Sequence, residues 1–160
     1  MATITKKKIA AQKQFGGVPY GNKTVLDFNL TTNAIGAFTD SDVATGIALG
    51  DVVRLGIIPA GFKVYDSQVI VSDAFTALVT ANLGFAYVDG VDPVGGLAAS
   101  ATYFGSGLVL NAVGRLRNAT TNAPVTFPKD VYLIATTAGA ANAVAGVLDV
   151  MLEGVLTGAP

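Results

Sequence analysis

Cysteine and histidine are both missing from this 160-residue chain. Without cysteine there is no disulfide, no thiol nucleophile and no thiolate ligand for zinc or iron. Without histidine the commonest general base is gone, and with it the Ser-His and Cys-His nucleophile pairs. Tryptophan is absent too, which removes one common anchor for sugars and single-stranded nucleic acid. Glutamate occurs once, at Glu153. A glycosidase needs two facing carboxylates, and nothing in the spacing of the aspartates brings two together. Asp40 and Asp42 lie two apart, and Asp89 and Asp92 flank a glycine. Either pair offers oxygen ligands of the kind calcium takes, but the EF-hand spacing is absent. Turn-forming aspartates account for both pairs. Gly105-Ser106-Gly107 is not the Gly-x-Ser-x-Gly of a nucleophile elbow. No Walker loop or dinucleotide fingerprint is present. The expectation is a protein without catalysis, cofactor or metal.

Charge is also scarce. Hydrophobic residues make up 51% of the chain and charged residues only 13%, against roughly 25% charged in an average soluble domain. The deficit suggests a surface partly buried in oligomer or partner interfaces. No apolar stretch approaches the roughly 18 residues needed to span a bilayer; Asn142 and Asp149 interrupt the longest candidates. The start, Met-Ala-Thr-Ile-Thr-Lys-Lys-Lys, lacks the apolar core of a signal peptide. The reading is synthesis in the cytoplasm, with no membrane partner. The sequons at Asn22, Asn29 and Asn118 are then chance matches.

What charge there is sits unevenly. Lys6, Lys7, Lys8, Lys13 and Lys23 are half of the ten basic residues, and the first acidic residue is Asp27. The segment continues through Phe15-Gly16-Gly17-Val18-Pro19-Tyr20-Gly21. Its glycines and proline disfavour a helix or an inner strand. Residues 1–23 therefore read as a basic extended N-terminal arm, and 24–160 as one domain, long enough to bury a core without staples. Three uses of the lysines are open: a solvated tail, an arm on an acidic protein surface, or contact with phosphates. The net charge of −1 and the lack of a basic-aromatic platform in the body weigh against nucleic acid. Arg115 and Arg117, two apart, would share a face on a strand, either in solvent or at a subunit contact.

From residue 24 the pattern alternates. Leu26, Phe28 and Leu30 share one face, with Asp27 and Asn29 opposite. Residues 51–58 repeat this, with Val53, Leu55 and Ile57 inward. Pro59-Ala60-Gly61 is a turn, and residues 62–71 resume as a strand whose alternation slips between Asp66 and Val69, as at a bulge. Leu83, Phe85 and Tyr87 share a face, and Gly84 among them suggests close backbone approach. Weaker short strands fall between Thr102 and Leu110 and at residues 125–127. Residues 131–136 and 147–156 close the chain, the latter with Leu148, Val150 and Leu152 aligned. A helix over 139–156 is the alternative there, weakened by Gly139, Gly146 and Gly154. About eight strands with turn chemistry between them predict an all-β, jelly-roll-like two-sheet sandwich, or otherwise an immunoglobulin-like one.

The run Gly50-Asp51-Val52-Val53-Arg54-Leu55-Gly56-Ile57-Ile58-Pro59-Ala60-Gly61-Phe62-Lys63-Val64 leads into Val69-Ile70-Val71-Ser72-Asp73 and then Ala81-Asn82-Leu83-Gly84-Phe85. Over residues 24–90 this resembles the capsid decoration, or cement, proteins of tailed bacteriophages. The resemblance implies a jelly-roll protein on the outer surface of an icosahedral virion. It would be bound to the major capsid protein and to itself as a homodimer or, alternatively, a homotrimer. Lys6, Lys7, Lys8, Lys13, Phe15, Val18 and Tyr20 would be the capsid-binding arm. The competing readings are a head-fibre or receptor-binding module, for which Tyr103 and Phe104 are the candidate sugar-facing aromatics, and a minor tail or neck structural protein.

Overall fold

The computed structural model describes residues 2–5, 23–117 and 120–157. Among the described residues there are ten strands and no helix. One sheet has the order β1 (Thr3–Thr5), β3 (Val52–Ile58), β9 (Val131–Ala138), β5 (Thr80–Tyr87), β6 (Ser100–Val109). The other has the order β2 (Lys23–Thr32), β10 (Gly146–Leu156), β4 (Phe62–Asp73), β7 (Gly114–Arg117), with the two-residue β8 (Val125–Thr126) also on β4. Every pair is antiparallel except β1 with β3. The architecture is the two-sheet, jelly-roll-like sandwich that the alternation predicts.

The core lies between the sheets, because period-two strands put one apolar row on each inner face. Leu26, Phe28 and Leu30 of β2, Leu148, Val150 and Leu152 of β10 and Val69 and Val71 of β4 come from one side. Val53, Leu55, Leu133, Ala135, Leu83, Phe85 and Tyr87 come from the other. Phe85 is fully buried and meets Tyr87, Tyr103, Phe104 and Phe127 at centroid distances of 4.9 to 6.4 Å, three of the four contacts being edge-on. This aromatic knot ties β5 to β6 and to the segment carrying Phe127. Such edge-on pairs add about 0.5–1.5 kcal/mol each beyond area burial.

The details differ from strict alternation where a residue is inserted. In β3 the register shifts between Arg54 and Gly56. The extra residue moves the inward phase from Leu55 to Ile58, which is fully buried, and leaves Ile57 half-exposed. Ile57 is thus not inward as alternation alone suggests. In β4 the bulge falls at Tyr65 and Asp66, opposite Glu153 and Gly154, slightly earlier than the sequence slip implies. Residues 139–156 are a turn and strand, not a helix: Leu148, Val150 and Leu152 face the core between β2 and β4. Tertiary burial outweighs the helix preference of the preceding alanines. Residues 100–109 are one irregular strand instead of two. Gly84 does mark a close approach: a Cβ there would sit 2.0 Å from the Ser100 carbonyl oxygen.

Candidate interaction surfaces

The scarce charge is not spread evenly over the fold. The five strands of the β1–β3–β9–β5–β6 sheet hold a single charged residue, Arg54. The strands of the opposite sheet hold Lys23, Asp27, Lys63, Asp66, Asp73, Arg115, Arg117, Asp149 and Glu153. Alternation decides where these point. With Leu26, Leu152 and Val69 inward, Asp27, Glu153, Asp66 and Arg117 line the outer face. There Lys23 pairs with Glu153 and Arg117 with Asp66. The Asp66 carboxylate accepts a hydrogen bond from the guanidinium and pushes the Arg117 pKa up further. Asp66, Arg117 and Glu153, with Ser67 and Gln68, line an open depression of about 210 Å³. Exposed pairs of this kind contribute little to stability because solvent screens them; they keep this face wet.

The outer face of the first sheet is different. Val52, Arg54 and Ile57, Tyr132, Ile134 and Thr136, and Asn82 and Ala86 form neighbouring rows across β3, β9 and β5. The Arg54 guanidinium lies 4.5 Å from the Tyr132 ring centre, so the face's one cation is spread flat on an aromatic. The buried Thr136 hydroxyl on this face lacks a hydrogen-bond partner.

At one end of the sandwich several uncharged loop segments gather, with Asp73 exposed at the close of β4. The loops 33–37, 46–50, 74–79, 110–113 and 139–145 contain no charged residue. Hydrogen bonds bring them together. Phe75 donates to Leu110 O, Gly50 to Thr137 O and Ile47 to Gly36 O. At the centre is Asn142, 4% exposed. Its Oδ1 accepts from the Thr76 amide and the Thr76 hydroxyl, both at 3.1 Å. Its Nδ2 donates to Thr32 Oγ1 at 3.1 Å and Val144 O at 2.9 Å. Its amide donates to Ile47 O. Gly36, with φ of 76°, packs so tightly on this strand connection that a Cβ would lie 2.2 Å from Asn142 O. Rigid backbone thus holds out Ile35, Leu49, Leu78 and Val144, which are 61, 59, 72 and 41% exposed. Leu78 does so at a φ of 68°, a strained value for a side chain with a branched γ carbon. The sequence signal for this end is the run of uncharged loops; the hub asparagine was read only as a break in an apolar stretch.

The opposite end carries the charged turns. Lys129 donates to Asp89 Oδ2 at 2.7 Å, and that bond, with the Val91 amide, holds the Asp89 carboxyl below the usual range. Asp92 accepts from the Ala99 amide and Asp42, elsewhere, from the Thr5 amide. Asp89 and Asp92 hold their own loop, as their spacing predicts, whereas Asp42 caps β1 from 37 residues away. Among the described residues no group of three or more Asp, Glu, His or Cys could hold a metal.

Of the proposed arm, Lys6, Lys7, Lys8, Lys13, Phe15, Val18 and Tyr20 lie outside the described residues. Both flanks are described. Thr3–Thr5 pairs with the edge of β3, and Ile4 is buried in the core at 1% exposure. Lys23 opens β2, the edge strand of the other sheet. The first five residues of the segment 1–23 therefore include a strand of the body, because Ile4 finds an apolar slot and Asp51 and Asp42 accept the Ala2 and Thr5 amides. Tyr103 and Phe104 are core aromatics: Phe104 is buried, and the Tyr103 hydroxyl donates to Ala123 O. They offer no exposed sugar platform. Arg115 and Arg117 share an exposed face on β7, as their spacing predicts.

No protein-family model matches the chain, and no curated protein matches it. Solved structures do. A chain in the capsid of Ralstonia phage GP4 superposes with a TM-score of 0.64 at 16% identity, covering 98% of this chain and 99% of that one. A chain in the cyanophage Pam1 capsid asymmetric unit superposes with a TM-score of 0.57 at 17% identity, covering 91% and 95%. At these identities the likeness is one of fold, and it runs nearly end to end.

Proposed function

We propose that the chain is a structural virion protein that binds the outer surface of an icosahedral phage capsid and cements neighbouring capsomers. The observation that carries the reading is the end-to-end likeness to chains of two phage capsids. The division of charge supports it. A sandwich with one wet face, one nearly uncharged face and one end of uncharged loop segments suits a surface that lies against protein. A self-association through one of these surfaces, as dimer or trimer, uses the same chemistry.

The basic segment fits as a strap. Its described flanks, Thr5 and Lys23, are held on opposite sheets. The seventeen residues between them extend at most about 60 Å, and so reach out about 30 Å when they must return. Lys6, Lys7, Lys8 and Lys13 would meet an acidic surface of the major capsid protein, with Phe15, Val18 and Tyr20 as apolar anchors. Cementing then needs no chemistry. A clamp across a junction adds buried area that must be lost before capsomers part, and several linked contacts multiply modest affinities.

The test is co-sedimentation of the purified chain with undecorated phage capsids, read as copies per shell. Saturation in the hundreds, at a multiple of the shell's symmetry, supports cementing. Absence of binding refutes it, and a dozen copies or fewer moves the protein to the neck or tail.

A further inference from the structure

The fold brings two carboxylates together that their spacing in the sequence does not. Asp66 of β4 and Glu153 of β10 are direct cross-strand partners on the outer face of the charged sheet. Side chains so placed have Cβ atoms roughly 5 Å apart, and like charges there repel. Each is answered by a cation from its far side, Glu153 by Lys23 and Asp66 by Arg117. The result is a row across β2, β10, β4 and β7 in which two positive and two negative charges sum to zero. Asp66 is fixed twice over: its Oδ2 accepts Arg117 Nε at 2.7 Å, and its Oδ1 accepts the Ser67 amide at 2.9 Å. Exposed pairs add little to stability, so holding the fold does not account for setting two carboxylates side by side.

The bulge in β4 supplies an aromatic neighbour. Between the buried Val64 and Ser67, it turns Tyr65 and Asp66 outward together. The Tyr65 ring, 51% exposed, stands beside the charged row. The surface there is concave. The depression beside Asp66 adjoins an open hollow of about 580 Å³ lined by Lys23, Tyr65, Asp66, Arg117 and Glu153, a size in the range of small-ligand sites. A smaller hollow leads from Tyr65 and Asp66 to Asn122 and Val125.

We infer that the charged row and Tyr65 bind a neutral oligosaccharide. A sugar hydroxyl both donates and accepts. Adjacent hydroxyls could donate to Glu153 and Asp66 and accept from Lys23 and Arg117, in charge-assisted bonds. The apolar face of a sugar ring would pack on Tyr65. A row that sums to zero does not favour a charged ligand. The run of hollows past Tyr65 suits a chain of sugars more than a single one. Each carboxylate is held by a cation, so neither is placed to protonate a glycosidic oxygen; the site binds and does not cleave. With the uncharged surfaces against a shell, this face would look outward, but sugar binding does not rest on capsid binding.

The purified chain is applied to an array of neutral, sialylated and glucosamine-bearing oligosaccharides, and the retained sugar is titrated by calorimetry into the chain and two variants. A neutral oligosaccharide should be retained. Tyr65→Ala and Glu153→Gln should each weaken it about tenfold or more, with the melting temperature kept because neither side chain is in the core. No retention at millimolar sugar, retention of charged sugars alone, or variants that bind as well as the unaltered chain would overturn the inference. No capsid enters the assay, so its failure and a failure to cement are separate results.

Discussion

Replacing Asn142 by alanine tests whether the uncharged end is a rigid platform. The side chain receives two hydrogen bonds from Thr76 and gives two good ones, to Thr32 Oγ1 and Val144 O. Two partners recover. The Thr76 hydroxyl keeps the Ala143 amide at 2.8 Å, and the Thr32 hydroxyl keeps the Val144 carbonyl at 3.0 Å. The Thr76 amide is left without an acceptor. A net hydrogen bond contributes about 0.5–1.5 kcal/mol, and an orphaned buried donor costs about 1–3 kcal/mol. The expected loss is about 3 kcal/mol. For a chain of this size that lowers the melting temperature by about 6–12 °C. Asn142→Asp has the same shape but loses both donors and sets a negative charge against the Thr32 hydroxyl oxygen and the Val144 carbonyl. It should be the worse of the two. Urea titration of the three proteins, with the slope checked for constancy, measures both differences. A loss under about 1 kcal/mol for alanine, or a milder effect for aspartate, would refute the hub.

Leu78→Asn relieves a left-handed leucine, since asparagine tolerates that region; thermal unfolding should show stability kept or raised by up to about 1 kcal/mol, while capsid occupancy falls because a 72%-exposed apolar tip is lost. Gly84→Ala drives a methyl into the Ser100 carbonyl and should cost about 3 kcal/mol or more, read by denaturant titration. Changing Lys6, Lys7, Lys8 and Lys13 together to alanine should leave the melting temperature unchanged but weaken capsid binding and flatten its salt dependence in co-sedimentation. Asp89 has a folded pKa below its ordinary 3.8, so its contribution is complete above that value and is lost as pH falls through the lower one. In Lys129→Met the depression shrinks to what the backbone amides supply, and a melting series from neutral to acid pH should show a smaller acid-linked loss than in the unaltered chain.

Much of the fold was legible in the chain itself. Alternating strands such as residues 24–30 and 147–156 have only one way to bury a row of Leu, Phe and Val, and that dictates which side faces the core. Missing cysteine and histidine narrowed the chemistry for the same local reason: a residue that is absent cannot act. Ile57 was misread because a one-residue insertion reverses every later side chain, and insertion depends on the partner strand. β1 went unseen because three residues carry no period; only the edge of β3, the slot for Ile4 and the carboxylates of Asp42 and Asp51 make it a strand. The helix over 139–156 lost to long-range pairing with β2 and β4, which local alanine preference does not register.

The interaction surfaces divide the same way. That charge is scarce, and that lysines crowd the first 23 residues, is composition. That the strand charge falls on one sheet but for Arg54, that uncharged loop segments meet at one end, and that the basic segment is held at both flanks are matters of which strands become neighbours. Those neighbours are joined across long stretches of the chain, Thr32 to Asn142 and Ala2 to Asp51, because a buried polar group is costly without a partner and here the closed sandwich supplies it.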